Sequence, residues 1–166
     1  MGGSARTTAA GTMTSATLVI RPAQEIDIPE VIRIERASFA DPWSAESFTT
    51  ALDLHRMRFL VAEDVGNDAL LGYIIALVLA DEAEVADLAV ATEARCRGIG
   101  GLLLDRMVEL MSQQGVRWLY LEVRESNSAA RALYESRSFE QVGLRRGYYR
   151  HPTEDALLLK RDLVPT

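Results

Sequence analysis

Cysteine occurs once in the 166 residues, at Cys96, which excludes an internal disulfide and points to a reducing compartment, the cytoplasm. Histidine occurs twice, and His55 and His151 stand apart from any cluster with ligand spacing, so no metal site is expected. No uninterrupted apolar segment reaches the roughly 18 residues of a membrane helix. The longest, "LLGYIIALVLA" from Leu70 to Ala80, reads instead as a buried strand. Basic residues are outnumbered, 18 Lys and Arg against 24 Asp and Glu, and the net charge of −6 argues against a general nucleic-acid binder. It suits a basic peptide partner, and equally a surface that only keeps the protein soluble. Neither an internal repeat nor a second domain is visible.

What is present is ordinary for a globular chain: 48% apolar and 25% charged residues, in a length that suits one domain with a real core. Residues 1–16 are rich in Gly, Ser, Ala and Thr without a signal-peptide core. They read as a disordered tail or cloning remnant, with Met13 as an alternative start, which leaves residues 17–166 as the domain. "TLVIR" (17–21) is a strand, and Asp27 caps a helix that buries Ile28, Val31, Ile32, Ile34 and Phe39. Ser44 caps a second helix through Asp53. "RFLVAED" and "ALLGYIIALVLA" flank the hairpin signal Gly66-Asn67-Asp68, and a further strand covers residues 82–90. Leu102, Leu103, Met107, Leu110 and Met111 give the period of a helix that Gly115 ends. "VRWLYLEV" is a strand, "SNSAARALYESRS" a short helix, and "FEQVGLRRGYY" and "EDALLLKRDL" two closing strands. The order β-α-α-β-β-β-α-β-α-β-β predicts a single-domain α/β fold.

Between the fourth strand-like run and its helix stands Arg95-Cys96-Arg97-Gly98-Ile99-Gly100-Gly101. A helix start exposes about four unpartnered N–H groups at the positive end of its dipole. Glycines let an anion approach that backbone, so the turn reads as a phosphate cradle. A P-loop would need Lys and then Ser or Thr after the last glycine, where Leu102 and Leu103 stand. A dinucleotide fingerprint would need Gly or Ala at position 103, which is leucine.

The remaining pattern, Arg-x-x-Gly-x-Gly between a strand and a helix, resembles the pyrophosphate motif of the GCN5-related N-acetyltransferase (GNAT) superfamily. "FADPWS", "LYLEVRESNSAARALYESRSF", "LRRGYY" and "EDALLL" extend the likeness to the RimI family over about Ile20 to Leu163. Those enzymes acetylate the N-terminal alanine of the eighteenth small-subunit ribosomal protein. The resemblance implies the GNAT fold, a mixed and mostly antiparallel central sheet flanked by helices, and acetyl-coenzyme A as co-substrate with no metal. Backbone groups of Cys96, Arg97, Gly98, Ile99, Gly100 and Gly101 would hold its pyrophosphate, and Leu88-Ala89-Val90 its pantetheine arm. The Val90 N–H would also face the oxyanion.

Acetylating an amine requires a base, oxyanion stabilisation and a proton for the leaving thiolate. An α-amine, with a pKa of about 7.7–8.0 against about 10.4 for lysine, needs little help from the base. Glu122 is the candidate: alternation puts it with Trp118, Tyr120 and Arg124 on one strand face, opposite Leu119, Leu121 and Val123. The competing reading is an ion pair with Arg124 or another surface cation. Tyr134 is the candidate acid; it lies seven residues after Asn127, on the same face if one helix holds both, and otherwise fills the core. The resemblance gives base, acid and coenzyme contact to Glu122, Tyr134 and Asn127 in turn. Cys96 lacks a neighbouring histidine as its base, so direct attack on the thioester is expected rather than an acyl-enzyme.

On the acceptor side the resemblance implicates Trp43, Tyr148 and Tyr149, and charge alone adds Glu35 and Asp41 as partners for a basic second residue. Three positions depart from the family: Gly101 replaces a common Arg or Lys, Ser138 replaces the glycine of "ESLGF", and the loop from Tyr149 to Glu154 is short. The expected activity is N-α-acetylation of a basic peptide N-terminus, most simply a ribosomal protein's, by a monomer that contacts neither nucleic acid nor membrane. The same fold acting on lysine or a small amine, or a non-catalytic acyl-coenzyme A-binding module, are the alternatives.

Overall fold

The run too short for a membrane is an inner strand of the sheet: in β3 (Ala69–Leu79) every residue from Leu70 to Ala76 is buried. The computed structural model describes residues 17–163, so the expectation for residues 1–16 lies outside the described residues. The elements follow as β1 (Leu18–Pro22), α1 (Ile28–Ser38), α2 (Ala45–Asp53), β2 (Met57–Asp64), β3, β4 (Glu82–Val90), α3 (Ile99–Gln113), β5 (Trp118–Arg124), α4 (Ser128–Glu135), β6 (Glu140–Tyr149) and β7 (Glu154–Asp162). This is the order that periodicity predicts. Among the described residues no helix is long and apolar enough to cross a membrane.

The strands form one sheet in the order β1-β2-β3-β4-β5-β7-β6. Every neighbouring pair is antiparallel except β4 and β5, which run parallel through the α3 crossover. Helix α3 packs on β2, β3 and β4 through Leu103, Leu104, Met107 and Met111, all fully buried. Each such side chain contributes roughly 1.5–3 kcal/mol of burial.

The parallel ladder is short. It joins Glu82–Val85 to Trp118–Leu121 and then stops. Beyond it β4 stays with β3 as far as Val90, and β5 stays with β7 as far as Arg124. The two central strands therefore part at Ala86 and Glu122, and their carboxyl ends open a crevice in the middle of the sheet.

Two helix ends are closed by left-handed residues. Gly115 (φ +82°) follows α3, with Gly115 N–H to Ser112 O and Val116 N–H to Met111 O. Ser138 (φ +65°) does the same after α4, with Ser138 N–H to Glu135 O and Phe139 N–H to Tyr134 O. Both are Schellman turns, and in each the residue beyond the turn is buried.

Candidate active site

Three glycines in four positions set the start of α3. Gly98 is its N-cap in the left-handed region (φ +77°), and Cys96 shares that region at φ +62°. For a non-glycine residue this conformation costs about 1–2 kcal/mol. Leu102 N–H bonds to Gly98 O, so the amides of residues 98–101 have no helical acceptor. A Cβ at Gly98 would meet nothing within 4 Å, leaving the front of the turn bare. Behind it, a Cβ at Gly100 would already touch Leu133 and Val90 at 3.6 Å. The first turn carries no acidic side chain. An open array of amides at a helix's positive end, without a carboxylate, fits a pyrophosphate. Ile99 is buried and contributes backbone alone, whereas Cys96 and Arg97 are exposed at the rim.

The end of β4 supplies the neighbouring wall. Ala91 N–H bonds to Leu71 O, and alternation along an antiparallel ladder then directs the Ala89 peptide toward β3. The peptide groups of Leu88 and Val90 point the other way, into the crevice. The Leu88 amide is taken by the Asp87 carboxyl, and Val90 O accepts from Arg95 Nε at 3.2 Å.

Glu122 is the first β5 residue past the parallel ladder. Its side chain is only 10% exposed, and Arg145 Nε sits 2.9 Å from Oε1. Leu119, Leu121 and Val123 are buried behind it, so the strand's two faces divide as the alternation predicts. Glu122 shares a cavity of about 220 Å³ with Glu84, Tyr120, Arg145 and Leu158. Glu84 lies opposite Tyr120 in the ladder, which puts both carboxylates on one face. Partial burial and the Glu122 charge push the Glu84 carboxyl up, against the opposing effect of Arg145. Hydrogen bonding to Glu122 pushes the Tyr148 phenol up to about 12, and burial followed by the Glu122 charge raises Tyr149 to about 12. The expected ion pair of Glu122 does form, with Arg145 rather than Arg124, which instead binds Glu154 at 3.3 Å and caps the Tyr149 ring at 4.4 Å.

Tyr134 is buried in α4, its ring edge-on to Phe139 at 5.8 Å. Burial, then the nearby Tyr149 and Asp87, hold its phenol well above the usual range. Asn127 caps the helix instead of belonging to it: its Oδ1 accepts the Ala130 N–H at 3.1 Å.

Of the acceptor-side residues, Tyr148 and Tyr149 meet Glu122, stacked edge to face at 5.1 Å where the β6–β7 ladder slips around Gly147 (φ +60°). Glu35 requires correction. It is 1% exposed, receives the Trp43 N–H on Oε1 at 3.0 Å and the Tyr73 hydroxyl on Oε2, and so presents no charge to a substrate. Trp43 packs on Phe48 and lines a separate groove along α2, while Asp41 is exposed on the loop before it.

Glu84, Arg145 and Asp87 are absent from the sequence-derived site. Strand alternation carried a signal for Glu84, exposed between the buried Ala83 and Val85, but no pattern reveals which strand lies beside it. Asp87 is buried opposite Ile75 of β3, past a bulge at Ala86 that breaks the alternation from Val85. There, burial and then the Glu35 carboxyl raise its own carboxyl well above the usual range.

Known proteins resemble this chain in sequence and fold. A model of the acetyltransferase (GNAT) family matches residues 28–139. The ribosomal protein bS18-alanine N-acetyltransferase of Salmonella typhimurium is 36% identical over 137 residues, 80% of this chain and 89% of that one. The crystal structure of the Escherichia coli ribosomal-protein-S18-alanine N-acetyltransferase has a TM-score of 0.83 at 31% identity, over 90% of this chain and 96% of that one. Arabidopsis thaliana NAA60, solved with a bisubstrate analogue, has a TM-score of 0.80 at 25% identity over 88% and 98%. With the bare glycine turn at the mouth of a split parallel pair, these likenesses show that the chain belongs to the GNAT family of acetyltransferases, which use acetyl-coenzyme A as co-substrate.

Proposed function

We propose that the enzyme acetylates the α-amine of a protein N-terminus, that of the ribosomal protein bS18 beginning with alanine, in the cytoplasm. The observation that carries this is Glu122, a carboxylate at the point where β4 and β5 separate, in a small cavity beside two tyrosines. The names of the Salmonella and Escherichia relatives supply the substrate.

Acetyl-coenzyme A supplies the acetyl thioester when bound. The amides of residues 98–101 hold its pyrophosphate, and the outward peptides of Leu88 and Val90 align its arm. The free Val90 N–H is directed at the carbonyl oxygen as negative charge develops there. A Glu122 oxygen accepts the ammonium proton, directly or through water. With an amine pKa of about 7.7–8.0 the transfer is mild. The Tyr134 hydroxyl keeps its proton at every working pH, because burial raises its pKa. That proton is given to the departing sulfur, whose own basicity rises in the same dry crevice. Tyr148 and Tyr149 flank the acceptor backbone.

The test is coenzyme A release with a peptide beginning Ala-Arg, the same peptide blocked at its α-amine, a lysine peptide and a polyamine. Turnover is expected only on the free terminus, with Glu122→Gln lowering kcat by about 10²–10⁴-fold. Turnover on lysine or polyamine alone overturns the acceptor; an undiminished mutant overturns Glu122.

A further inference from the structure

The third residue of α3 is glycine, and the space a side chain would fill there is taken. A Cβ on Gly101 would stand 2.7 Å from the Arg137 Cζ, so the guanidinium lies directly over the first turn of the cradle. Arg137 is carried there by the end of α4: the left-handed Ser138 closes the helix one residue later, and Arg137 N–H still bonds to Tyr134 O. Asp105, on the second turn of α3, fixes the guanidinium plane through Nε at 2.9 Å and Nη2 at 3.3 Å. Ser136 Oγ lies 3.1 Å from Nη1. These contacts use three of the five N–H donors of an arginine and leave two. The side chain remains 27% exposed, while the helix's first turn holds no carboxylate to compete for them.

We infer that Arg137 is the cation of the coenzyme cradle, delivered across from α4 because α3 has none at position 101, and that it binds a phosphate of acetyl-coenzyme A. Asp105 is its positioning residue. The absence of a side chain at Gly101 and the presence of Arg137 are two halves of one arrangement: a side chain at 101 would displace the guanidinium from its place over the turn. The phosphate is either the pyrophosphate or the 3′-phosphate, which present the same doubly acceptor edge to a guanidinium.

The inference rests on the coenzyme site and not on the acceptor assignment, so it is tested by direct binding without any acceptor. Isothermal titration with acetyl-coenzyme A is expected to give a dissociation constant about ten-fold weaker for Arg137→Leu, the loss of one charge-assisted contact. Arg137→Gln, which keeps a neutral donor beside Asp105, weakens binding similarly and lowers its salt dependence. S-acetyl-pantetheine, which lacks all three phosphates, binds wild type and variants alike. The 3′-dephospho analogue assigns the phosphate: a persisting difference means the pyrophosphate, a vanished one the 3′-phosphate. The double substitution Gly101→Arg with Arg137→Leu returns the affinity toward wild type. Unchanged affinity in a folded Arg137→Gln, or an equal loss for S-acetyl-pantetheine, overturns the inference and leaves Arg137 as a strut between α3 and α4.

Discussion

An ion pair on the proposed base must give way before that base can work. Arg145 holds one oxygen of Glu122 at 2.9 Å, yet its own side chain is 57% exposed and reaches in from the edge strand β6. An entering ammonium group brings the same charge to the same carboxylate, so exchange of one cation for the other costs little. Glu84 then matters as the cavity carboxylate beside Glu122, pushed up by partial burial and by Glu122 and relieved by Arg145. Because it draws the cation without taking its proton, Glu84→Gln is expected to raise KM for an Ala-Arg peptide about three- to ten-fold at pH 8. Its kcat should stay within about two-fold, the signature of binding lost equally from ground and transition states. Steady-state kinetics beside Glu122→Gln separates the two roles, and a fall in kcat with unchanged KM would reverse them. At this scale the sequence was legible for Glu122 and for the tyrosines, which sit in quoted motifs, and misleading for Glu35. Its acidity suggested a surface partner, although it lies four residues after Val31 and seven after Ile28, on the helix stripe that both bury.

Among the elements, α4 shows how a local departure is absorbed. Ser138 takes the left-handed turn that glycine takes more cheaply, and the turn brings Phe139 back onto Tyr134 with its ring centroid at 5.8 Å. The proposed acid is thus held by the helix end that follows it. Ser138→Gly is expected to stabilise the enzyme by about 1 kcal/mol, since the native angle suits glycine more than serine. That is a rise in Tm of roughly 2–4 °C, with kcat unchanged because Phe139 stays in place. A calorimetric scan that showed a loss would mean that the entropy glycine adds to the unfolded chain outweighs the relieved strain. The elements and their order were readable because each carries its own period and its own end signals. The split between β4 and β5 was not, since alternation tells which face a residue takes and says nothing of where a ladder stops. The two 3-10 turns, Glu25–Asp27 and Thr92–Ala94, also escaped, being too short to show a period.

Across the whole molecule, three elements meet at a buried polar knot. Glu35 of α1, Tyr73 of β3 and Asp87 of β4 are each less than a tenth exposed, and the Tyr73 hydroxyl binds Glu35 and lies 3.5 Å from Asp87. Among the described residues, Asp87 also raises the phenol of Tyr134 from α4. With no guanidinium or ammonium bonded to them among the described residues, two carboxyls in such a site cannot both ionise cheaply. Burial, then the hydrogen bond and charge of Glu35, therefore keep Asp87 protonated far above its ordinary range. The consequence for stability has a definite sign. In the unfolded chain an aspartate loses its proton near pH 3.9, whereas the folded chain keeps it, so between those values the native state holds more protons and stability falls as pH rises. Asp87→Asn keeps the shape and a hydrogen-bond donor but has no proton to lose. It is expected to match wild type near pH 4 and to gain on it steadily toward pH 8, by roughly 1–3 kcal/mol. Thermal melts of both proteins at pH 5, 6, 7 and 8 measure this, and parallel curves would show that Asp87 ionises in the fold as it does outside it. Since Glu35 also holds the Trp43 amide, the same knot ties the sheet to the loop ahead of α2. The variant should therefore leave that loop's amide protection against hydrogen exchange intact at pH 7, whereas Glu35→Ala, which removes the acceptor itself, should lower it.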